Sequence, residues 1–419
     1  MAQLSDDCFA FGGALMRADE ALRVLAARIV PLAGPETAPL RALRGRILAE
    51  DIVAPRAVPP HDNAAVDGYA VHHADLDPAD ETTMKIEGRA AAGHPLGAPS
   101  PRGRAVRVFT GAAMPEGPDS VFMQEDVRVE GDTAIFPPGL KKGANRRKAG
   151  EDVEKGKTIL RAGHRLRAQD VGLIASIGLS QARVRAALKV AVFSTGDELR
   201  EPGGEAPKGT VYDANRFALM ALLEQTGAVV TDLGILPDKR DAVTEALAGA
   251  AETHDALITS GGMSTGDEDH VRAAVEANGA IDFWRLAIRP GRPVALGRVK
   301  GKAFVGLPGN PVAMVVTFLR FARPVLLRLG GASGVEPLTF RVRSEAPIKK
   351  KIGRREWLRA SLVPAPDGGA PFARRFPRDG AGILTSLVES DGLIELAEDV
   401  GEVAAGDPVD FLPFSELAA

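Results

Sequence analysis

The run Ser260-Gly261-Gly262-Met263-Ser264-Thr265-Gly266-Asp267-Glu268-Asp269-His270 joins two glycines to three consecutive acids. It follows a short apolar run, Ala256 to Thr259, and opens an amphipathic stretch, Val271 to Ala277. The expected order is strand, glycine turn, helix. Glycines let backbone amides approach a ligand, and a helix N-terminus presents unpaired N–H groups to an anion. An anion beside clustered carboxylates calls for a divalent cation between them. Mg²⁺ suits such hard oxygen ligands. Asp269 is then the metal or nucleotide candidate, with Gly261 and Gly262 as backbone contacts. The plainer reading is a strand–helix turn in which an Asp caps the helix.

Other segments repeat parts of this pattern. Ser194-Thr195-Gly196-Asp197-Glu198 also follows an apolar run, which makes Glu198 a second acidic candidate; the alternative is a turn with surface acids. Pro237-Asp238 ends a third strand-like run and, taken alone, reads as a helix start. Arg289-Pro290-Gly291-Arg292-Pro293 sets two guanidiniums around a rigid turn, able to grip an oxyanion bidentately or to remain a solvated loop. In Leu307-Pro308-Gly309-Asn310-Pro311, Asn310 and Pro311 suit N-cap and first helical position, and that helix start could hold an anion. Asp62 to Ala70 is turn-like, with Asp67 before Gly68. Thr110-Gly111 and Gly150-Glu151-Asp152 say nothing unaided.

The elements that must position these residues follow from periodicity. Helices are expected over Ala18 to Ile29, Leu40 to Ile52 and Asp170 to Ile177. Residues 56–139 are rich in Gly, Pro and β-branched residues and predict a small all-β insertion, with strands at Ala105 to Thr110 and Ser120 to Val129. From 187 to 330 strands and helices alternate: strands at Leu188 to Phe193, Val229 to Leu236, Ala256 to Thr259 and Phe304 to Leu307; helices from Asp213, from Asp241 and from Pro311. Such alternation predicts an open, doubly wound α/β sheet, whose ligands bind at the carboxyl ends of strands. All the glycine turns would then share one edge. Beyond Gly330, strands at Leu338 to Val342, Glu356 to Leu362, Gly392 to Leu396 and Pro408 to Leu412 predict a small β-barrel or sandwich.

Bulk properties narrow the function. The 419 residues carry a net charge of −3 with 45% hydrophobic and 26% charged content, an ordinary globular composition with no basic footprint for nucleic acid. One cysteine, Cys8, cannot close an internal disulfide, and the first residues lack a secretory pattern, so a cytoplasmic protein is expected. No apolar run is long enough to span a membrane. Walker A, GxGxxG and zinc-ligand spacings are absent from the sequence. The seven histidines are scattered, and His61, His72, His73 and His270 read as solvent or capping residues rather than bases.

Taken in order, the motifs resemble the MoeA family of molybdopterin molybdenumtransferases, which includes the E domain of gephyrin. The resemblance rests on Asp62–Ala70 (similar to the family's DNSAMDGYA), Val106–Pro115, Gly150–Asp152, Val190–Leu199, Val211–Arg216, Leu233–Asp238, Thr259–Asp269, Phe283–Gly297 and Gly306–Pro311, nearly the whole chain. It implies a discontinuous helical domain (14–55 and 140–186), an inserted β domain (56–139), a MogA-like α/β domain (187–330) and a C-terminal β-barrel (335–417). It also implies a homodimer with the active site shared between subunits. The implied reaction inserts molybdate into adenylyl-molybdopterin and releases AMP and molybdenum cofactor, assisted by Mg²⁺. A MogA-type adenylyltransferase upstream and molybdoenzyme maturation proteins downstream are the implied partners.

The same resemblance assigns roles. Glu198, Asp238 and Asp269 match catalytic and metal-binding carboxylates of the α/β domain. Asp67, Thr110 and Asp152 match catalytic residues reaching across the dimer. Gly261, Gly262, Ser264, Pro308, Gly309 and Asn310 fall in substrate-binding segments. Arg289 and Arg292 replace the lysines of the family's common IKPGKP form, keeping charge while changing a compact ammonium into a planar fork. Arg359 matches an arginine expected at the cleft. A family serine is Ala381 here; Ser386 is nearby but not equivalent. The competing readings are a CinA-type nucleotide hydrolase, a gephyrin-like scaffold, and the same transferase handling tungstate.

Overall fold

The computed structural model describes residues 15–262, 270–291, 293–366 and 368–418. Ser264, Asp269 and Arg292 therefore lie outside the described residues.

Helix α1 (Ala18–Arg28) forms where expected, but Ala18 and Ala21 pack into the core beneath the α/β sheet. The discontinuous domain has its own core, in which Leu43, Leu48 and Ile52 from one segment meet Val153, Leu166, Ile174 and Val184 from the other. Pro35–Pro39 and Gln181–Arg185 pair antiparallel across the join. Helix α2 (Ala168–Ser176) agrees with the sequence reading. The helix expected over Leu40 to Ile52 does not form: only Leu40–Ala42 makes a 3₁₀ turn. Gly45 at φ +79° turns the chain out of helical geometry, and Leu43 and Leu48 enter the core from irregular backbone. Apolar spacing at helical period was met here by a turn, not a helix.

The insertion is a six-stranded sheet. Its strands are β1 (Gly68–Val71), β2 (Thr82–Ala90), β3 (Arg104–Val108), β4 (Ser120–Met123), β5 (Arg128–Glu130) and β6 (Thr133–Phe136), in the order β4-β1-β3-β2-β6-β5. The strand expected over Ser120 to Val129 is split by a 3₁₀ turn at Gln124–Asp126. Alternation along the strands feeds two small cores, one around Val106 and Val108, the other around Tyr69, Phe122 and Phe136.

The α/β domain carries strands β7 (Lys189–Thr195), β8 (Val229–Leu236), β9 (Ala256–Ser260), β10 (Gly279–Arg285), β11 (Pro293–Val299) and β12 (Lys302–Leu307), ordered β8-β7-β9-β12-β11-β10. Strands β8, β7, β9 and β12 are parallel; β11 and β10 add an antiparallel edge that is not among the expected strands. Helices α3 (Ala214–Gln225) and α6–α7 (Pro311–Thr317 and Arg323–Leu329, joined by a π-turn) cover one face with α1. Helices α4 (Arg240–Thr253) and α5 (His270–Asn278) cover the other. The β7 sequence shows why both faces close: Val190 and Val192 enter one core, Ala191 and Phe193 the other.

The C-terminal strands β13 (Phe340–Ser344), β14 (Arg355–Val363), β15 (Phe372–Arg375), β16 (Gly392–Leu396) and β17 (Pro408–Pro413) pair β14-β15-β13-β17-β16 and back to β14, a closed barrel rather than a sandwich. Residues 355–360 of β14 are buried on both sides: Leu358 and Ala360 fill the barrel, while Trp357 joins the α/β core.

Candidate functional site

Because β8, β7, β9 and β12 are parallel neighbours, their carboxyl ends lie on one edge of the sheet. That edge gathers Ser194–Glu198, Pro237–Asp238, Ser260–Gly262 and Leu307–Asn310. Thr195 pairs with Leu236, so Glu198 and Asp238 each lie just beyond adjacent strand ends. Glu198 is exposed and Asp238 half-buried. The Glu198 carboxylate folds over Gly196, where a Cβ would lie 2.6 Å from its Oε2.

The glycine turns touch each other. A Cβ on Gly309 would stand 3.6 Å from the Gly261 Cα, and Gly261 N–H donates to the Leu307 carbonyl at 2.9 Å. Gly262 adopts φ +65°, and a Cβ there would fall 2.6 Å from Val271 Cγ2 and 2.9 Å from Thr195 Oγ1. Only glycine is compatible with both the backbone and that gap. Asn215, in the first turn of α3, stitches the turns together: its Nδ2 donates to Ser260 Oγ at 2.9 Å and to the Gly309 carbonyl at 2.7 Å. Ser260 Oγ in turn donates to the Pro308 carbonyl at 3.0 Å. Asn215 lies in the Val211–Arg216 segment without being a candidate there; its signal in the sequence is an amide just after an Asp cap.

Asp213 accepts from Arg216 N–H at 3.1 Å, capping α3 as the sequence indicates. The Arg216 guanidinium is 1% exposed and gathers three acids, Asp213 (Nε to Oδ2, 2.9 Å), Glu201 and Asp232. Burial alone would lower its pKa; the hydrogen bonds to Asp232, Asp213 and Glu201 outweigh that and raise it. Arg216 thereby ties the Glu198–Glu201 segment to the helix that carries Asn215.

Arg289 extends from a short strand that pairs parallel with β14. Its Nη1 donates to Glu356 Oε2 at 3.4 Å and its Nη2 to Asp379 Oδ2 at 3.3 Å. The turn behind it packs against the α6 start: a Cβ on Gly291 would lie 3.0 Å from Pro308 and 3.1 Å from Ala313. Asn310 occupies the N-cap position with no side-chain cap bond, and its side chain is exposed. Arg359 is buried. Its Nε donates to Ser386 Oγ at 3.0 Å and its Nη2 to the carbonyls of Arg378 and Gly380 at 3.2 and 3.3 Å. The backbone of Ala381, in the same loop, accepts from Val312 N–H at 2.8 Å. Arg359 thus supports the loop beside Arg289 and rests on Ser386.

The second group of sequence candidates lies in the insertion and its join. Asp67 Oδ1 accepts from Thr110 N–H at 2.7 Å and from its hydroxyl at 2.8 Å. These two bonds, with Arg107 nearby, hold the Asp67 carboxyl below the usual carboxylate range. Arg107 lies over the Tyr69 and Phe109 rings, 4.9 Å from each centroid. Asp152 is exposed where the returning chain meets Val58, to whose carbonyl it donates through N–H at 3.1 Å.

The edge thus offers backbone amides from facing glycine turns, carboxylates at two strand ends, and a guanidinium at the barrel boundary. Among the described residues no group of three or more His, Cys, Asp or Glu side chains converges as a metal cluster. The donors that the edge does supply, Glu198 and Asp238, are hard oxygens of the type Mg²⁺ takes. No helix among the described residues is long and apolar enough to cross a membrane.

Comparison with known proteins gives matches along the chain. Residues 16–178 match the MoeA N-terminal region (domain I and II), 191–328 a "Probable molybdopterin binding domain", and 341–414 the MoeA C-terminal region (domain IV). The chain is 38% identical to a molybdopterin molybdenumtransferase of Haemophilus influenzae, over 90% of this chain and 93% of that protein. It is 34% identical to one of Nostoc, covering 89% and 87%. A crystal structure of the molybdopterin biosynthesis moeA protein from Pyrococcus horikoshii superposes with a TM-score of 0.81 at 29% identity, covering 96% of this chain and all of that one.

Proposed function

Because this chain belongs to the MoeA family of molybdopterin molybdenumtransferases, we propose that the carboxyl edge of its parallel sheet is where molybdate is inserted into adenylyl-molybdopterin. The observation that carries this reading is the convergence of two touching glycine turns with Glu198, Asp238 and the Arg289 turn on that edge. Backbone N–H groups of Gly262, Gly309 and Asn310 receive the phosphates, while Gly261, its N–H tied to the Leu307 carbonyl, holds the turn close to Gly309; Ser264 belongs to the same loop. Arg289, with Arg292, neutralises molybdate. Arg359 fixes the loop beside them.

Mg²⁺ would be held by Glu198, Asp238 and Asp269, and would supply Lewis-acid stabilisation of phosphate charge. The chain's own groups bind and orient: Asn215 holds the two glycine turns in register, and the α6 start faces the anion. Asp67, Thr110 and Asp152 complete the site from the partner subunit of a homodimer. Asp67, ionised and anchored by Thr110, orients rather than donates a proton. The protein acts in the cytoplasm, on substrate from a MogA-type adenylyltransferase, and its product passes to molybdoenzyme maturation. The inserted sheet and the barrel, both within the matched regions, favour this over a CinA-type hydrolase or a scaffold.

The test is AMP release from adenylyl-molybdopterin with Mg²⁺ and molybdate. AMP that forms only with molybdate, alongside dithiolene-bound molybdenum, is expected. AMP formed equally without molybdate would make the protein a phosphohydrolase. Mixing Asp67→Ala with Asp269→Ala should restore activity if subunits share the site; no restoration overturns the shared site.

A further inference from the structure

The loop 378–381 places a carboxylate on the guanidinium that the proposed function gives to the oxyanion. Arg289 is 43% exposed, and both of its ionic contacts are long, 3.4 Å to Glu356 and 3.3 Å to Asp379. Charge-assisted N–H···O bonds ordinarily close to about 2.7–2.9 Å. Each acid has a tighter partner elsewhere. Glu356 Oε1 takes Arg354 Nε at 2.6 Å, and Asp379 Oδ1 takes Arg375 Nη2. Arg289 therefore holds the weaker end of both pairs.

The loop is fixed on either side of Asp379. Arg359 grips the carbonyls of Arg378 and Gly380, the two residues flanking it, and Ala381 bonds to the first turn of α6. Burial would raise the Asp379 pKa, but Arg375, Arg289 and Arg359 together lower it, so the group is an anion near neutrality. An ionised carboxylate is thus presented to Arg289 by a braced loop.

We infer that Asp379 is an internal anion that occupies the Nη2 arm of the Arg289 fork at rest, beside Glu356 on Nη1, and selects, by competition, for dianionic tetrahedral oxyanions over monoanions. The inference rests on Arg289 being the oxyanion ligand. One Asp379 oxygen stands on Nη2 and one Glu356 oxygen on Nη1, so an oxyanion that takes the Nη2 arm must displace Asp379 Oδ2. A dianion brings twice the charge and displaces the carboxylate; chloride or nitrate brings one charge to a place already filled by one. Asp379 acts through Arg289, so it is a specificity-determining residue and not a catalytic one.

The experiment measures molybdate affinity by calorimetry, KM for molybdate in AMP release, and inhibition by chloride and nitrate, on the full-length protein. Asp379→Asn keeps size and an acceptor oxygen while removing the charge. It should tighten molybdate about two- to fivefold, the range that an exposed ion pair supplies, with the effect in KM rather than kcat. Inhibition by the monoanions should strengthen more than molybdate binding does. Asp379→Glu restores the charge and should bring both values back toward those of the native protein. Weaker molybdate binding in Asp379→Asn, or unchanged monoanion inhibition, would reduce Asp379 to a loop fastener and overturn the inference. Should Asp379→Asn misfold, Arg375→Gln serves instead: freeing Asp379 for Arg289 should weaken molybdate binding, and tighter or equal binding overturns the proposal. Arg289→Gln separates the two levels. If it leaves molybdate affinity unchanged, the oxyanion reading of Arg289 fails; if it weakens affinity while Asp379→Asn has no effect, only the competition fails.

Discussion

Arg216→Met should destabilise the α/β domain by about 3 kcal/mol, the lower part of the range for removing one member of a buried ion pair. The size follows from which partners lose water. Arg216 and Asp213 are 1% and 2% exposed, so the variant strands a buried carboxylate. Asp232 and Glu201 are 37% and 54% exposed, so their pairs with Arg216 add no more than about 1 kcal/mol each. The Asp213 cap tempers the loss, because its bond to the backbone N–H of residue 216 survives any side chain. For a domain of this size that energy lowers the first calorimetric transition by roughly 10 °C. The sharper test is the double variant. Asp213→Asn/Arg216→Met removes the orphaned charge but keeps a capping side chain, so it should melt above Arg216→Met alone. Equal melting of the two, or a loss below 1 kcal/mol for the single variant, would refute the argument that the buried charge pair governs stability here. Activity should fall with Arg216→Met as well, because the segment with Glu198 and the helix with Asn215 are both tied to that guanidinium.

Two further outcomes follow from the same kind of reasoning. Asn215→Ala should cost only about 1 kcal/mol, since Gly309 stays open to water and Ser260 keeps its bond to Pro308; kcat/KM for AMP release should nevertheless drop on the order of tenfold as the turns lose register, and a drop under twofold would speak against the stitch. For Asp170, burial pushes the pKa up, but bonds from Arg167 and His164 prevail and hold it at about 2, against 3.8 for the free group. A depressed carboxyl stabilises the fold above pH 4 and loses that contribution as pH falls from about 4 to 2, here about 2 kcal/mol. Urea midpoints of native protein and Asp170→Asn should therefore differ at pH 6 and converge toward pH 2; parallel curves would exclude the carboxylate.

What the sequence disclosed, and what it hid, divides along physical lines. Strand–glycine–helix junctions are local, and β9 with its turn, the Asp213 cap and the Asn310–Pro311 helix start were readable because a few adjacent residues determine them. The shared edge followed from alternation alone, since parallel strands bring their carboxyl ends together. Leu40 to Ile52 misled because apolar spacing measures which residues are buried, and irregular backbone can bury the same residues. Strands β10 and β11 are not among the expected strands, because a tight antiparallel return lacks the intervening helix that marks a βαβ unit. The Arg216 cluster and the Arg359–Ser386 support were hidden because their partners come from separate segments. Arg359 carries a charge that sequence alone would not bury, yet residues 355–360 of β14 are buried and leave it only 6% exposed. Asp269, Ser264 and Arg292 lie outside the described residues, so their roles stay with the family resemblance.

The discontinuous domain has a consequence during synthesis. Arg185 Nη1 reaches the Ala33 carbonyl from 152 residues further along the chain, and Pro35–Pro39 has no partner until Gln181–Arg185 has been made. At about 5–20 residues per second, the early strand waits roughly 8 to 30 s on the nascent chain. Meanwhile the inserted sheet, whose strands all fall between Gly68 and Phe136, already has every partner it needs. The waiting segment begins and ends in proline, Pro35 and Pro39, which cannot donate to a foreign strand. Those two residues shield an unpaired edge during the interval in which the ribosome leaves it exposed.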